Sequence, residues 1–189
     1  MKSVMGYTAL HCVAGSRNSE AIKVVLDSIP QSQRLQVLSM QDQHGNTALH
    51  HAASSRDFGP VHVILDSLPE SECSQIAMVQ NVNNGTALHF ASRTGHIESI
   101  KAILALFPES ERIQVVCMQD NDGRTLLHYA ARLNNLKAIK AILDLLPKQQ
   151  HLQAVNVRDQ KGNTVFDFAA CDTLRDAIRE LLQRQQPSI

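Results

Sequence analysis

The apolar residues of this chain recur in a helical pattern that returns every 39 residues. Within each copy, apolar side chains stand at i, i+3, i+4 and i+7, which is the stripe of a helix with one buried face. The stripe occupies Ile22, Val25, Leu26 and Ile29, then Val61, Ile64, Leu65 and Leu68, then Ile100, Ile103, Leu104 and Phe107, and then Ile139, Ile142, Leu143 and Leu146. A fifth copy keeps Ile178, Leu181 and Leu182 but ends on Gln185, which suits a terminal helix with one side in water.

A short motif precedes each stripe with the same spacing. Thr-Ala-Leu-His begins at Thr8, Thr47 and Thr86, and it returns altered as Thr-Leu-Leu-His at Thr125 and Thr-Val-Phe-Asp at Thr164. Threonine is a good helix N-cap, and a polar side chain three residues later can reach back to the helix start. The small residues that follow, such as Ala52 and Ala53, let neighbouring units approach closely. The motif therefore predicts a short first helix in each unit.

Proline marks the end of each striped helix, because it disfavours helical geometry in the residue before it. After each proline come polar residues and then apolar residues spaced by three, which predicts a short third helix. The prolines are Pro30, Pro69, Pro108 and Pro147. Each unit then closes with a turn of the form Asp-x-x-Gly, in which glycine supplies a positive φ. These turns begin at Asp42, Asp120 and Asp159.

The combined pattern, Asp-x-x-Gly-x-Thr-Ala-Leu-His-x-Ala-Ala followed by a second amphipathic helix, resembles the ankyrin repeat. That repeat is usually about 33 residues long and carries proline where Ala48 and Ala87 stand. The resemblance runs from about Ser3 to about Gln186, and the extra residues fall where the third helix is predicted. It implies an all-α repeat solenoid of about five units, each with a helix pair, a short third helix and a hairpin-like turn.

The resemblance also gives the expected limits of the units within a single domain of residues 1–189. They are 3–41, 42–80, 81–119, 120–158 and 159–186, called units one to five below. Units of this length are similar to those in ankyrin proteins of intracellular bacterial pathogens.

Some positions depart from the pattern. Unit three has Asn84 followed by Gly85 in its turn, which predicts a distorted hairpin, although asparagine can adopt the left-handed conformation. Unit one has Ser3 in place of the turn aspartate. Unit five has Asp167 where histidine is expected, and Cys171-Asp172-Thr173 replaces its inter-helix turn. Both ends are therefore predicted to be caps, which repeat arrays need for solubility.

Composition narrows the possible partners. The chain has 18 basic and 18 acidic residues, so no net positive field attracts nucleic acid. No apolar run reaches about 18 residues, which predicts no membrane insertion. The cysteines, at 12, 73, 117 and 171, form no Cys-x-x-Cys pair, which argues against a disulfide framework or a zinc knuckle. Without the apolar stretch of a secretory signal, we expect a cytoplasmic protein, in the producing cell or in a host cell if secreted as an effector.

The nine histidines raise the possibility of a metal or catalytic site. Four of them, His11, His50, His89 and His128, occupy the repeat's own capping position, one unit apart, too far to share a metal at bonds of about 2 Å. No His-Glu-x-x-His, Gly-x-Ser-x-Gly or Gly-x-x-x-x-Gly-Lys motif is present. We therefore predict no enzyme activity, no cofactor and no bound metal. Two alternatives stay open: a targeting or regulatory fragment of a larger enzyme, and a metal-dependent enzyme.

The resemblance implies a protein-interaction module that binds a partner protein on its concave face, formed by hairpin tips and first helices. Phe90 and Tyr129 each follow a capping histidine, and Arg93 and Arg132 stand nearby. Aromatic and arginine side chains dominate interface energetics, but both rings could instead pack between helices as core. The predicted partner-binding residues are Gln41, Gln43, His44, Asn46, His51, Val82, Asn83, Phe90, Arg93, Asn121, Asp122, Arg124, Tyr129 and Arg132. We expect a monomer, with a dimer through unit one as the alternative.

Overall fold

The structure is a computed structural model that describes residues 7–183, and within that range it contains helices and no strands. In chain order the helices are α1 (Ala9–Ala14), α2 (Ser19–Asp27), α3 (Gln31–Leu38), α4 (Ala48–Ser54), α5 (Gly59–Asp66), α6 (Glu70–Ala77), α7 (Ala87–Thr94), α8 (Ile97–Ala105), α9 (Glu109–Val116), α10 (Leu126–Arg132), α11 (Leu136–Leu143), α12 (His151–Val155), α13 (Val165–Phe168) and α14 (Asp172–Gln183). A 3₁₀ turn at Lys148–Gln150 runs directly into α12.

Like helices of successive units lie side by side. The first helices α1, α4, α7, α10 and α13 pack in one row, and the second helices α2, α5, α8, α11 and α14 pack in a second row behind them. Each helix contacts its equivalent in the next unit because the apolar stripes recur in step. The predicted all-α, ankyrin-type solenoid is confirmed.

The predicted third helices are present. Pro30, Pro69 and Pro108 are the N-cap residues of α3, α6 and α9, and Pro147 precedes the 3₁₀ turn that leads into α12. Proline suits this position because its fixed φ starts a helix and its missing N–H has no partner there. The prediction from the proline positions is confirmed.

The core lies between the two rows. Ile22, Ile64, Ile100 and Ile139 of the striped helices are fully buried. The small residues of the first helices, such as Ala52, are also fully buried, so the first helices approach one another closely. One apolar stripe and one row of alanines per unit therefore build a continuous core along the chain.

Side chains at the start of the second helices act as N-caps. The His96 ring accepts a hydrogen bond from the Ser99 N–H, and Asn135 accepts one in the equivalent place. Asp57 stands at the equivalent place in unit two, but the N-cap residue of α5 is Phe58, and the Asp57 carboxylate accepts from the Gly59 N–H at 3.0 Å. Pro60 lies in the first turn of α5, where its missing N–H has no partner to lose.

The hairpin of unit three is not distorted, so that prediction is wrong. Asn84 adopts φ 56°, close to the 73° of Gly45 in unit two. The Asn81 N–H donates to the Gly85 carbonyl at 3.0 Å, as the Asp42 N–H does to its counterpart at 2.9 Å. The turn survives because asparagine tolerates the left-handed region.

The last unit departs from the others as expected. Its first helix, α13, has four residues, and α14 begins at Asp172, within the replaced inter-helix turn. Ser3, Gln185 and Gln186 lie outside the described residues. None of the described helices combines the length and the apolar character needed to cross a bilayer.

Candidate functional site

The hairpins of neighbouring units are joined by their backbones. The N–H of one tip donates to a carbonyl of the preceding tip: Val82 to His44 (3.0 Å), Asn121 to Asn83 (2.9 Å) and Gln160 to Asp122 (2.9 Å). Glycine permits this approach, since a Cβ added at Gly123 would lie 2.6 Å from the Gln160 nitrogen. The hairpins of units two to five therefore form one stiff edge with a fixed spacing.

Some predicted partner-binding residues strengthen this edge. The Gln41 amide donates to the carbonyls of Gly45 (2.6 Å) and of Gln80 in the next unit (2.9 Å). Asn121 donates in the same way to the Val82 carbonyl at 3.2 Å. These side chains hold neighbouring turns together. The sequence analysis had assigned them to partner binding and did not predict this structural role.

Other predicted tip residues point away from the edge. Val82 is 59% exposed, and Gln43, His44 and Asn83 are also exposed. The Gln43 amide lies 3.1 Å from a ring nitrogen of its neighbour His44. These side chains form an accessible rim along units two and three.

The capping histidines reach back to the helix start, as predicted, and they also tie each first helix to the next hairpin. In unit two, the Thr47 N–H donates to His50 Nδ1 at 3.1 Å, and His50 Nε2 donates to the Gly85 carbonyl at 3.0 Å. The same pair of bonds recurs at His11, His89 and His128. Both ring nitrogens are occupied, and burial lowers the pKa of His50 to about 4, so the ring is neutral.

Residues 7–183 contain no group of three His, Cys, Asp or Glu side chains arranged to hold a metal ion.

The side chains that follow the capping histidines form a row across units two to five. Each packs edge-to-face against the capping histidine of the preceding unit, with ring centroids 5.7 Å apart for His51, 5.3 Å for Phe90, 6.2 Å for Tyr129 and 5.2 Å for Phe168. All of them are partly buried. The alternative that the rings pack as core is therefore met only in part, and their role in partner binding stays a prediction.

The row is also linked to the hairpin turns. The Tyr129 hydroxyl donates to Asp120 Oδ2 at 2.5 Å, and His51 Nε2 lies 2.9 Å from Asp42 Oδ2. Burial, together with the bond to the Asp120 carboxylate, raises the pKa of Tyr129. These partners are nine residues apart in both units, and that recurring interval was a visible signal that sequence reasoning missed.

Unit three lacks the equivalent bond. Phe90 has no donor, and the turn position is taken by Asn81, whose amide donates instead to Asn46 Oδ1 at 2.9 Å. A neutral amide thus stands where units two, four and five carry an aspartate.

Arginines stack on the aromatic rings. The guanidinium carbon of Arg93 lies 4.9 Å from the Phe90 ring centroid, and that of Arg132 lies 5.9 Å from the Tyr129 ring centroid. A third, Arg124, reaches over the ring of Phe168 at 5.4 Å. These are cation–π distances.

The three arginines differ in their other contacts. The Arg124 Nη1 atom donates to Asp122 Oδ2 at 2.8 Å. Arg93 and Arg132 are exposed, and neither forms an ion pair or a side-chain hydrogen bond with the part of the chain that the structure describes. Two guanidinium groups are therefore positioned but unpaired.

These side chains line a concavity of about 380 Å³ between units three and four, which we call the groove. Of the predicted residues it brings together Asn83, Phe90, Arg93, Asn121, Asp122, Arg124, Tyr129 and Arg132. It also includes residues that the sequence analysis did not select, Asn81, Gly85, His89 and Asp120. The remaining predicted residues lie outside it: Gln41, Gln43, His44, Asn46 and Val82 on the edge, and His51 on α4.

A comparison with protein families matches the family described as ankyrin repeats (3 copies) over residues 40–116, 58–151 and 113–189. The chain belongs to the ankyrin-repeat family. Members of this family are typically protein-interaction modules and typically not enzymes, and the repeats indicate such a module here. A comparison with curated proteins finds no match, so the similarity to ankyrin proteins of bacterial pathogens stays a prediction.

Proposed function

We propose that this ankyrin-repeat chain binds a partner protein in the groove between units three and four. The centre of the site is formed by Phe90, Arg93, Arg124, Tyr129 and Arg132. One observation carries this proposal: Arg93 and Arg132 are exposed, each is stacked on a ring, and neither has a partner of its own within residues 7–183.

The chemistry of the groove suits protein recognition. Aromatic and arginine side chains are the types most often responsible for the affinity of protein interfaces. Each guanidinium is already ordered by its ring, so less conformational freedom is lost when it binds. The backbone bonds between hairpins fix the spacing of the groove walls in the same way. A partner would therefore meet a surface that is largely preorganised.

The exposed rim extends the proposed surface towards unit two. Gln43, His44, Val82 and Asn83 are accessible there, while Gln41 and Asn46 keep the turns in place. In this proposal residues 1–189 form one binding domain, with the five units at the limits given above. The domain is a rigid scaffold that presents a binding site and catalyses no reaction.

Ligands selected without bias would test the location. Peptides selected from a random displayed library against the wild-type chain would be measured by titration against Arg93→Ala, Tyr129→Leu and Arg132→Ala. We expect each change to cost about 1–4 kcal/mol of binding free energy. Met78→Ala and Leu152→Ala serve as matched controls, because both side chains are exposed outside the groove and should leave binding unchanged.

The opposite pattern of results would contradict the proposed location of the binding site. If the control variants abolish binding while the groove variants bind as the wild type does, the partner surface lies elsewhere. Circular dichroism of every variant separates lost binding from lost folding.

A narrower form of the proposal is that the partner is a host protein and that the chain acts as an effector in the host cytoplasm. It rests on the resemblance, seen in the sequence alone, of the long units to those of ankyrin proteins from intracellular bacterial pathogens. The test is to fuse this chain to a reporter enzyme that is active only in host cytosol and to measure the reporter signal during infection. Infection without a reporter signal would contradict it.

A further inference from the structure

The two unpaired arginines occupy equivalent positions in successive units. Arg93 lies near the end of α7 and Arg132 at the end of α10, and these helices pack side by side. Packed helices have their axes roughly 8–10 Å apart. Each guanidinium lies over the ring three residues before it, so we expect the two groups to be offset by about one helix spacing.

The groove is locally cationic although the charges of the whole chain cancel. Three arginines and two aspartates line it, which leaves one net positive formal charge. One of the aspartates, Asp122, is paired with Arg124, and the other, Asp120, accepts a bond from Tyr129. In unit three the turn aspartate is replaced by Asn81, which removes one more negative charge. The positions equivalent to Arg93 in the other units are Gly15, Ser54 and Cys171. Only units three and four therefore carry an arginine at this position of the repeat.

A guanidinium that lies over a ring is still open at its N–H edge. That edge is planar and matches the two oxygens of a carboxylate, which it binds through two parallel hydrogen bonds. Each arginine stands alone on its own ring, so each can take one carboxylate.

We propose that the groove binds a linear acidic segment with two carboxylate side chains three residues apart. This inference rests on the proposed function, because it names the partner chemistry for the same groove. A polyproline II helix has three residues per turn and rises about 3.1 Å per residue, so residues i and i+3 lie on one face about 9 Å apart. That spacing falls within the roughly 8–10 Å that separates the axes of packed helices.

Labelled peptides test the charge and the spacing separately. Fluorescence polarisation would compare a peptide that carries Glu-Pro-Pro-Glu with one that carries Gln-Pro-Pro-Gln and one that carries Glu-Glu-Pro-Pro. We expect the first peptide to bind at least about tenfold more tightly than either of the others, since a hydrogen bond to a charged group is worth about that much. The affinity should also fall as salt is raised.

Variants then assign the effect to the two arginines. Arg93→Gln and Arg132→Gln should each weaken binding of the Glu-Pro-Pro-Glu peptide about tenfold. Arg93→Lys should weaken it less, because lysine keeps the charge but cannot bind a carboxylate with two parallel bonds. The matched control is the double variant Lys101→Gln, Lys140→Gln, which removes two exposed charges at equivalent positions of α8 and α11, outside the groove, and should bind like the wild type.

Several results would overturn this inference. They are equal binding of the glutamine peptide, equal binding of the peptide with adjacent glutamates, and an equal loss in the lysine control. If library peptides without acidic residues bind, and if Tyr129→Leu abolishes their binding, the groove remains the site while the acidic partner is refuted. The two proposals therefore fail in different experiments.

Discussion

Mild acid should destabilise this chain through its capping histidines, and His50 gives the clearest case. Its Nδ1 accepts the Thr47 N–H and its Nε2 donates to the Gly85 carbonyl, an arrangement that only the neutral ring can make. The ring is fully buried, and this burial lowers its pKa from 6.5 to about 4. A proton added at Nδ1 would face the backbone N–H and remove the bond.

The size of the effect follows from the difference in pKa between the unfolded and folded chains. Between pH 6.5 and pH 4 the unfolded chain holds the proton more tightly, so the free energy of unfolding falls as the pH falls. The contribution of His50 is complete above pH 6.5. Lowering the pH from 7.5 to 5.0 should cost about 2 kcal/mol from this residue. Burial also lowers the pKa of His11, His89 and His128, which adds to the loss in the same direction.

Urea unfolding at pH 7.5 and at pH 5.0, at constant ionic strength, measures this loss. The test variant is His50→Gln, since glutamine can accept from the Thr47 N–H and donate to the Gly85 carbonyl but does not titrate. The wild type should lose about 2 kcal/mol more than this variant over the interval. His62→Gln is the control for replacing a histidine: His62 is exposed and makes no capping bond, so this variant should keep the loss that comes from His50.

Equal losses of stability in the wild type and in His50→Gln between the two pH values would refute this account of the histidine. Proton NMR gives a second test, in which the His50 ring should titrate near pH 4. A midpoint near 6.5 would show that burial does not hold this ring neutral.

Three further predictions concern the hairpin edge, the third helices and the groove. Gly123→Ala should lower the urea midpoint more than Gly162→Ala, because both have a positive φ, worth about 1–2 kcal/mol, but only the former meets another backbone. Arg112→Ala should cost about 1–3 kcal/mol in urea unfolding, since Arg112 donates to the carbonyls of Phe107 and Leu145, while Lys101→Ala should cost little. Asp120→Asn should lower the pKa of the Tyr129 phenol, measured by ultraviolet titration in a Tyr7→Phe background, and an unchanged pKa would remove the carboxylate as its cause.

Much of the fold is readable from local chemistry. Thr47 and His50 are three residues apart, and Pro108 adjoins the helix it starts, so each signal lies within one turn of the backbone it controls. Local chemistry misled at Asn84, where the departure from glycine was expected to distort a turn that asparagine accommodates.

The candidate site was only partly readable. Aromatic and arginine residues at repeating positions pointed to Phe90, Arg93, Tyr129 and Arg132, and the structure brings them together in one groove. The turn position of Asp120 was visible as part of the repeat, but its bond to a side chain nine residues later was not recognised.

Sequence alone determined the period, the helices and their caps, because those depend on contacts between residues a few positions apart. The tertiary structure decided which polar side chains are free. Arg34 and Arg93 look alike in the sequence, yet Arg34 donates to the Ser67 carbonyl of the next unit while Arg93 is left without a hydrogen-bond partner in residues 7–183. Gln41 is likewise bound to the Gln80 carbonyl while Gln43 is exposed. These partners are more than 30 residues away along the chain, and only the stacking of the units brings them within hydrogen-bonding distance.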